Sequence, residues 1–259
     1  MHPCRLALVL TLVAGFCVVS PAPARADLYW ESEQVIQGMP GQEDSTRIIK
    51  NYITKDASRT EMGDTISIVR YDDMAMYQLN PAEKTYVRID MKSIGLPPEA
   101  AGMDAEKTEQ AQALIQEMFG KIKVVPSDET RTIAGYKCRR YDMNFMMVNT
   151  EYWTSDEVKG YEEVAAAGKK MQKAFEGNPI LKKANVLGMM DAMEGFPVQI
   201  VNRMMGGTST TTLKKIEQKT LPGSLFEIPE GYKRVEAPRA PAPAMPAMPQ
   251  PPARPAPGK

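Results

Sequence analysis

Thr65-Ile66-Ser67-Ile68-Val69-Arg70-Tyr71-Asp72-Asp73-Met74-Ala75-Met76-Tyr77-Gln78-Leu79-Asn80-Pro81-Ala82-Glu83-Lys84-Thr85-Tyr86-Val87-Arg88-Ile89 decides the fold. Three β-rich runs, Thr65 to Tyr71, Met74 to Leu79 and Thr85 to Ile89, are separated by Asp72-Asp73 and Asn80-Pro81-Ala82-Glu83, both of which are turn chemistry. Ile66 and Ile68 alternate with Thr65 and Ser67, and Val87 and Ile89 with Tyr86 and Arg88. Side chains on a strand point alternately to its two faces, so one face of this sheet is apolar and the other mixed. Upstream, Thr46 to Thr54 joins the same antiparallel meander across Gly63-Asp64, after an N-terminal stretch containing Leu28-Tyr29-Trp30 and Val35-Ile36.

Downstream, Pro97-Pro98 interrupts the sheet. Ala111, Leu114, Ile115, Met118 and Phe119 then recur at helical spacing, which predicts an amphipathic helix over Asp104 to Phe119. A second sheet block follows in Thr130 to Ile133, Tyr136 to Val148 and Glu151 to Thr154, with a turn at Ala134-Gly135; Tyr141, Met143, Phe145 and Met147 share one face. From Asp156 the period returns to helical. Tyr161, Val164, Ala165, Gly168, Met171 and Phe175 form one stripe; beyond Gly177-Asn178-Pro179, Ile180, Ala184, Leu187 and Met190 form another. Val198 to Met204 and Thr208 to Gln218 read as strands meeting across Met205-Gly206-Gly207, and Leu225 to Pro229 as the last ordered element before a turn at Glu230-Gly231. A long sheet with one apolar face must be covered, and about three helices are available to do it. The expected class is therefore α+β, mainly β: a curved antiparallel half-barrel covered by about three helices.

The ends of the chain are different in kind. His2 and Arg5 precede an apolar run from Leu6 to Val19, and a breaker region leads into Ala24-Arg25-Ala26, the order of a secretory signal peptide. The apolar run is shorter than the roughly twenty residues that span a bilayer as a helix. This predicts removal rather than anchoring, with cleavage near Ala26/Asp27, a periplasmic address and no membrane-spanning segment. Residues 237–259 are nearly all Pro and Ala with scattered Met and Arg. Such a segment favours extended polyproline II and cannot bury a core, so it reads as a disordered tail beyond a single domain over residues 27–236.

Composition excludes several functions. Lys plus Arg and Asp plus Glu are equal at 32 each, so no global field draws the chain onto nucleic acid. The one histidine, His2, leaves with the signal, and with it the commonest general base and zinc ligand. No GxSxG, SxxK or glycine-rich phosphate loop is present. The expectation is a non-enzyme with no catalytic residue, no metal and no cofactor. Cys4 and Cys17 also leave with the signal, so Cys138 remains as either a buried small hydrophobe or a thiol activated by its neighbours Lys137, Arg139 and Arg140.

Asp72 to Tyr86, Thr132-Ile133-Ala134-Gly135-Tyr136-Lys137-Cys138-Arg139-Arg140-Tyr141, Glu151-Tyr152-Trp153-Thr154, Gly195-Phe196-Pro197 and Leu221 to Tyr232 occur in that order. Together they resemble a family of exported bacterial proteins catalogued as domain of unknown function 4412. That family is similar in outline to the periplasmic lipoprotein carriers LolA and LolB. The resemblance implies a half-barrel with a helical lid and a periplasmic setting. It supplies no catalytic residue.

The chain holds 19 methionines, with pairs at Met146-Met147, Met189-Met190 and Met204-Met205. Flexible thioethers suit a surface that accepts varied apolar ligands; they also simply fill cores. The binding reading assigns the ligand site to Met74, Met76, Tyr141, Met143, Phe145, Met147, Leu187 and Met190, with an acyl chain or other apolar small molecule as occupant. The alternative is an envelope scaffold that docks a partner protein through the Pro/Ala tail.

Overall fold

The computed structural model describes residues 27–91, 122–145, 147–176 and 192–236. The expected signal peptide, tail, 104–119 helix and second hairpin helix, with Leu187 and Met190, lie outside the described residues. Within them, twelve strands form one open sheet. The strands are β1 (Leu28–Gln37), β2 (Ser45–Ile53), β3 (Ala57–Met62), β4 (Thr65–Arg70), β5 (Ala75–Asn80), β6 (Thr85–Asp90), β7 (Lys123–Ile133), β8 (Tyr136–Phe145), β9 (Val148–Ser155), β10 (Phe196–Met204), β11 (Gly207–Gln218) and β12 (Lys233–Arg234). Their spatial order is β12-β6-β5-β4-β3-β2-β1-β11-β10-β9-β8-β7. The chain therefore builds two meanders, β1–β6 and β7–β11, and joins them by pairing β1 with β11.

The expected mainly-β open sheet is what the chain forms. Of the about three helices expected as cover, the described residues contain one α-helix, α1 (Tyr161–Glu176). Glu162 and Glu163 in its first turn and Lys173 in its last complement the helix dipole. The sheet is antiparallel except at one edge, where β12 runs parallel to β6 through Lys233↔Thr85 and Arg234↔Tyr86. Leu225 to Pro229 is not a strand. Its start belongs to a short 3-10 helix, Gly223–Phe226, that lays Phe226 against the sheet.

Two cores hold the halves. Tyr29, Ala57, Ile68 and Leu79 gather on one face of β1–β5, and Leu221 and Phe226 cover them. Arg59 ties that cover down by donating from Nη1 to the Leu225 carbonyl at 2.8 Å. The second core joins Cys138, Trp153, Val158, Phe196, Val198 and Leu213. Trp30 reaches it from β1 and meets Phe196 edge-on, with ring centroids 5.7 Å apart.

Candidate functional site

The site is built where α1 crosses β9 and β10. A helix normally seals itself to a sheet with large side chains, but the middle of α1 is Ala165-Ala166-Ala167-Gly168. Those small residues leave space. A cavity of about 590 Å³ lies between helix and sheet, with Tyr161, Val164, Ala165 and Gly168 on the helical wall and Tyr152, Pro197 and Ile200 on the sheet wall. Lys169, Gln172, Thr154 and Glu194 give it polar points. Burial pushes the Tyr152 phenol further above its ordinary value.

One wall is fixed by hydrogen bonds. The Glu194 carbonyl accepts from Thr154 Oγ1 at 2.6 Å, and its N–H donates to Tyr141 Oη at 3.4 Å. Its carboxylate accepts from Arg139 Nη1 at 3.0 Å. Chain entering β10 is thus pinned to β8 and β9, holding Met193, Glu194 and Gly195 as the cavity's rim.

A depression of similar volume, about 610 Å³, opens over β8–β10 and is lined by Arg140, Asp142, Glu151 and Arg203. Its charges answer one another: Arg140 Nη2 lies 2.7 Å from Asp142 Oδ1, and Arg203 pairs with Glu151. It is a self-neutralised surface network. Among the described residues no group of three or more His, Cys, Asp or Glu is placed to hold a metal ion.

Of the ligand residues read from the sequence, the six among the described residues are not gathered at one place. Buried Tyr141 adjoins the cavity through Glu194 and stands opposite Tyr152 in the sheet register. Met143 and Phe145 follow on the same face, opposite Thr150 and Val148. Met147 sits at the β8–β9 hairpin tip, 67 % exposed, because the expected strand Tyr136 to Val148 breaks into a hairpin in which Phe145 pairs with Val148. Two consecutive methionines carry no turn signal, so the alternation ran past the tip. Met74 and Met76 belong to the other half: Met74 closes the β4–β5 turn at φ 51°, and Met76 pairs with Val69 and Ile89. Six strands separate β5 from β9. The helical stripe Tyr161, Val164, Ala165, Gly168 does line the cavity, and its signal in the sequence was the recurrence of these residues on one helical face.

Cys138 is 1 % exposed, and its Sγ donates to the Tyr136 carbonyl at 3.4 Å. Burial pushes its thiol up, which outweighs any help from the flanking cations; Arg139 and Arg140 are turned to Glu194 and Asp142. Ellman's reagent is expected to react with the native protein only on the timescale of unfolding. Because the folded thiol titrates above the unfolded one, its contribution to stability is complete below about pH 8.5 and is lost as pH rises through the folded value. Urea midpoints at neutral and alkaline pH check the sign: an increase above that pH contradicts it.

Among curated proteins none matches the chain in sequence. Solved structures match it only at low TM-scores. PNGF-II is 12 % identical with a TM-score of 0.41, the match covering 82 % of this chain and 31 % of PNGF-II, so the chain spans less than a third of that protein. A LolA superfamily protein from Nitrosomonas europaea is 8 % identical over 78 % of this chain and 90 % of its own, with a TM-score of 0.33. A DUF1329 family protein from Desulfovibrio piger is 14 % identical over 79 % and 91 %, with a TM-score of 0.35. At TM-scores below 0.5 none of these likenesses bears on what the cavity holds. The sequence comparison is firmer: the chain belongs to the family described as Domain of unknown function (DUF4412), whose profile matches residues 39–232.

Proposed function

We propose that this protein is a non-enzymatic carrier, exported to the periplasm with residues 1–26 removed, that holds an acyl chain or another apolar ligand between α1 and strands β9–β10. The observation that carries this reading is the cavity itself. Its volume of about 590 Å³ falls inside the range of roughly 300–1,000 Å³ usual for small-molecule sites, and aromatic and aliphatic side chains with few polar points line it. Among the described residues no helix is long and apolar enough to cross a membrane.

Gly168 provides the test. A Cβ placed there meets nothing within 4 Å, so the position faces open space. Gly168→Phe is expected to fill the cavity while leaving the fold intact, since replacing a mid-helix glycine gains up to about 1 kcal/mol of helix propensity. With dansylundecanoic acid as fluorescent probe, the parent protein should bind saturably and the variant at least about tenfold more weakly, a loss of roughly 1.4 kcal/mol. Urea midpoints should be equal or higher in the variant. Equal probe binding by both proteins, or none by either, overturns the assignment.

A further inference from the structure

On the other side of α1 lies a second cavity, of about 430 Å³, lined by Asp27, Thr54, Lys55, Glu163, Ala166, Ala167 and Lys170. Glu163 Oε1 accepts from Gln218 Nε2 at 3.1 Å. Its other oxygen, Oε2, is buried and has no hydrogen-bond partner among the described residues. A carboxylate oxygen left so is costly, and a cation is its natural complement. The two lysines of this cavity are engaged elsewhere. Lys55 Nζ lies 2.6 Å from Asp56 Oδ2; Lys170 donates to the Lys55 carbonyl and stands 3.6 Å from Asp56 Oδ1.

Asp27 is held at the same cavity from two sides. Its carbonyl accepts from Lys219 N–H at 2.9 Å and its carboxylate accepts from Leu221 N–H at 2.9 Å. We propose that signal-peptide removal after Ala26 turns the neutral backbone amide of Asp27 into an α-ammonium group, and that this group docks on Glu163 Oε2 and locks α1 to the sheet. Hydrolysis of the Ala26–Asp27 bond takes up one water and leaves a carboxylate on the peptide and the ammonium on the mature chain. The precursor lacks that charge, so the seat of α1 is completed only in the exported form.

The inference rests on the export reading, and the two fail separately. Intact mass of protein recovered from the periplasm should give a chain starting at Asp27; any other start overturns both the cleavage site and the latch. The geometry is tested independently on recombinant full-length mature chain, made to begin at Asp27 or with Gly-Ala added before it, each with and without Glu163→Gln. The charged groups lining this cavity are Glu163, the Asp27 carboxylate, Lys55 and Lys170, with Asp56 paired to both lysines behind them. In the Asp27-start protein the α-amino pKa should lie about one unit above its ordinary 7.7–8.0, and return to that range in Glu163→Gln. The stabilisation is then present below that ordinary range and lost as pH rises through the raised value. The Gly-Ala extension should lower the Tm of the parent and leave that of Glu163→Gln unchanged. An unshifted α-amino group, or equal tolerance of the extension with and without Glu163, shows that Oε2 is served by water alone and overturns the proposal.

Discussion

Trp153→Ala is expected to cost about 3–5 kcal/mol, the usual loss for a large aromatic truncated in a packed core. Trp153 is fully buried and sits among Cys138, Val158, Phe196, Val198 and Leu213, which come from β8, β10, β11 and the segment leading into α1. These neighbours are anchored on separate elements, so little of the cost is recovered by collapse. A second term follows from the outer side of the ring. Arg131 places its guanidinium 3.6 Å from the ring centroid, and Trp153 Nε1 donates to Glu151 Oε2 at 3.3 Å. Arg131→Ala alone is expected to cost only about 0.5–1 kcal/mol, because an exposed cation over a ring contributes little else. Urea denaturation followed by far-UV circular dichroism reads both, with the midpoint falling and the slope held. A Trp153→Ala loss no larger than that of Arg131→Ala would mean that the ring is not the keystone of this half.

Much of this architecture is written locally and some of it is not. The β4–β5 and β5–β6 hairpins were legible because their loops carry turn residues: each spans four positions and ends in a left-handed residue, Met74 and Lys84, both at φ 51°. The two-residue turns at Ala134-Gly135 and Met205-Gly206, with φ positive at both positions, match the right-handed twist of their strands. Strand β3, Ala57–Met62, was not legible. Its residues Ser58 to Glu61 are polar, and it exists because β2 and β4 satisfy its backbone from both sides. Strand β1 was read only as a stretch, yet it seams the two meanders. Its centre, Glu31 to Gln34, is polar, and Gln34 is accommodated by bonding to Ser209 and accepting from Arg47. Hydrophobic alternation cannot find strands whose stability comes from neighbours distant in sequence. The candidate site was half legible for the same reason. The helical stripe is a local pattern, whereas its opposition to Tyr152 and Ile200 depends on β9 and β10 lying side by side.

Gly195→Ala should rank with the tryptophan change although it adds one methyl group. Gly195 has φ +90°, and a Cβ built on it stands 2.7 Å from the Ser155 carbonyl carbon and 2.8 Å from its oxygen. Those atoms are backbone of the strand β9 end and cannot step aside without breaking the Phe196↔Ser155 pairing. The left-handed backbone alone costs a non-glycine residue roughly 1–2 kcal/mol; the overlap brings the expected loss to about 3 kcal/mol or more. Gly135→Ala is the matched control. It too has a positive φ, +85°, but a Cβ there meets nothing within 4 Å, so only the conformational term applies and about 1–2 kcal/mol is expected. The difference between the two variants isolates the clash. It also separates stability from binding, because Gly195 rims the cavity and Gly135 turns the remote β7–β8 hairpin. Under conditions where both variants remain folded, Gly195→Ala should weaken dansylundecanoic acid binding as the Glu194 segment is pushed from Thr154 and Tyr141, while Gly135→Ala should leave it unchanged. Equal urea midpoints for the two would show that the β9–β10 entry yields to a methyl group, and the pinned rim could not then be what shapes the cavity.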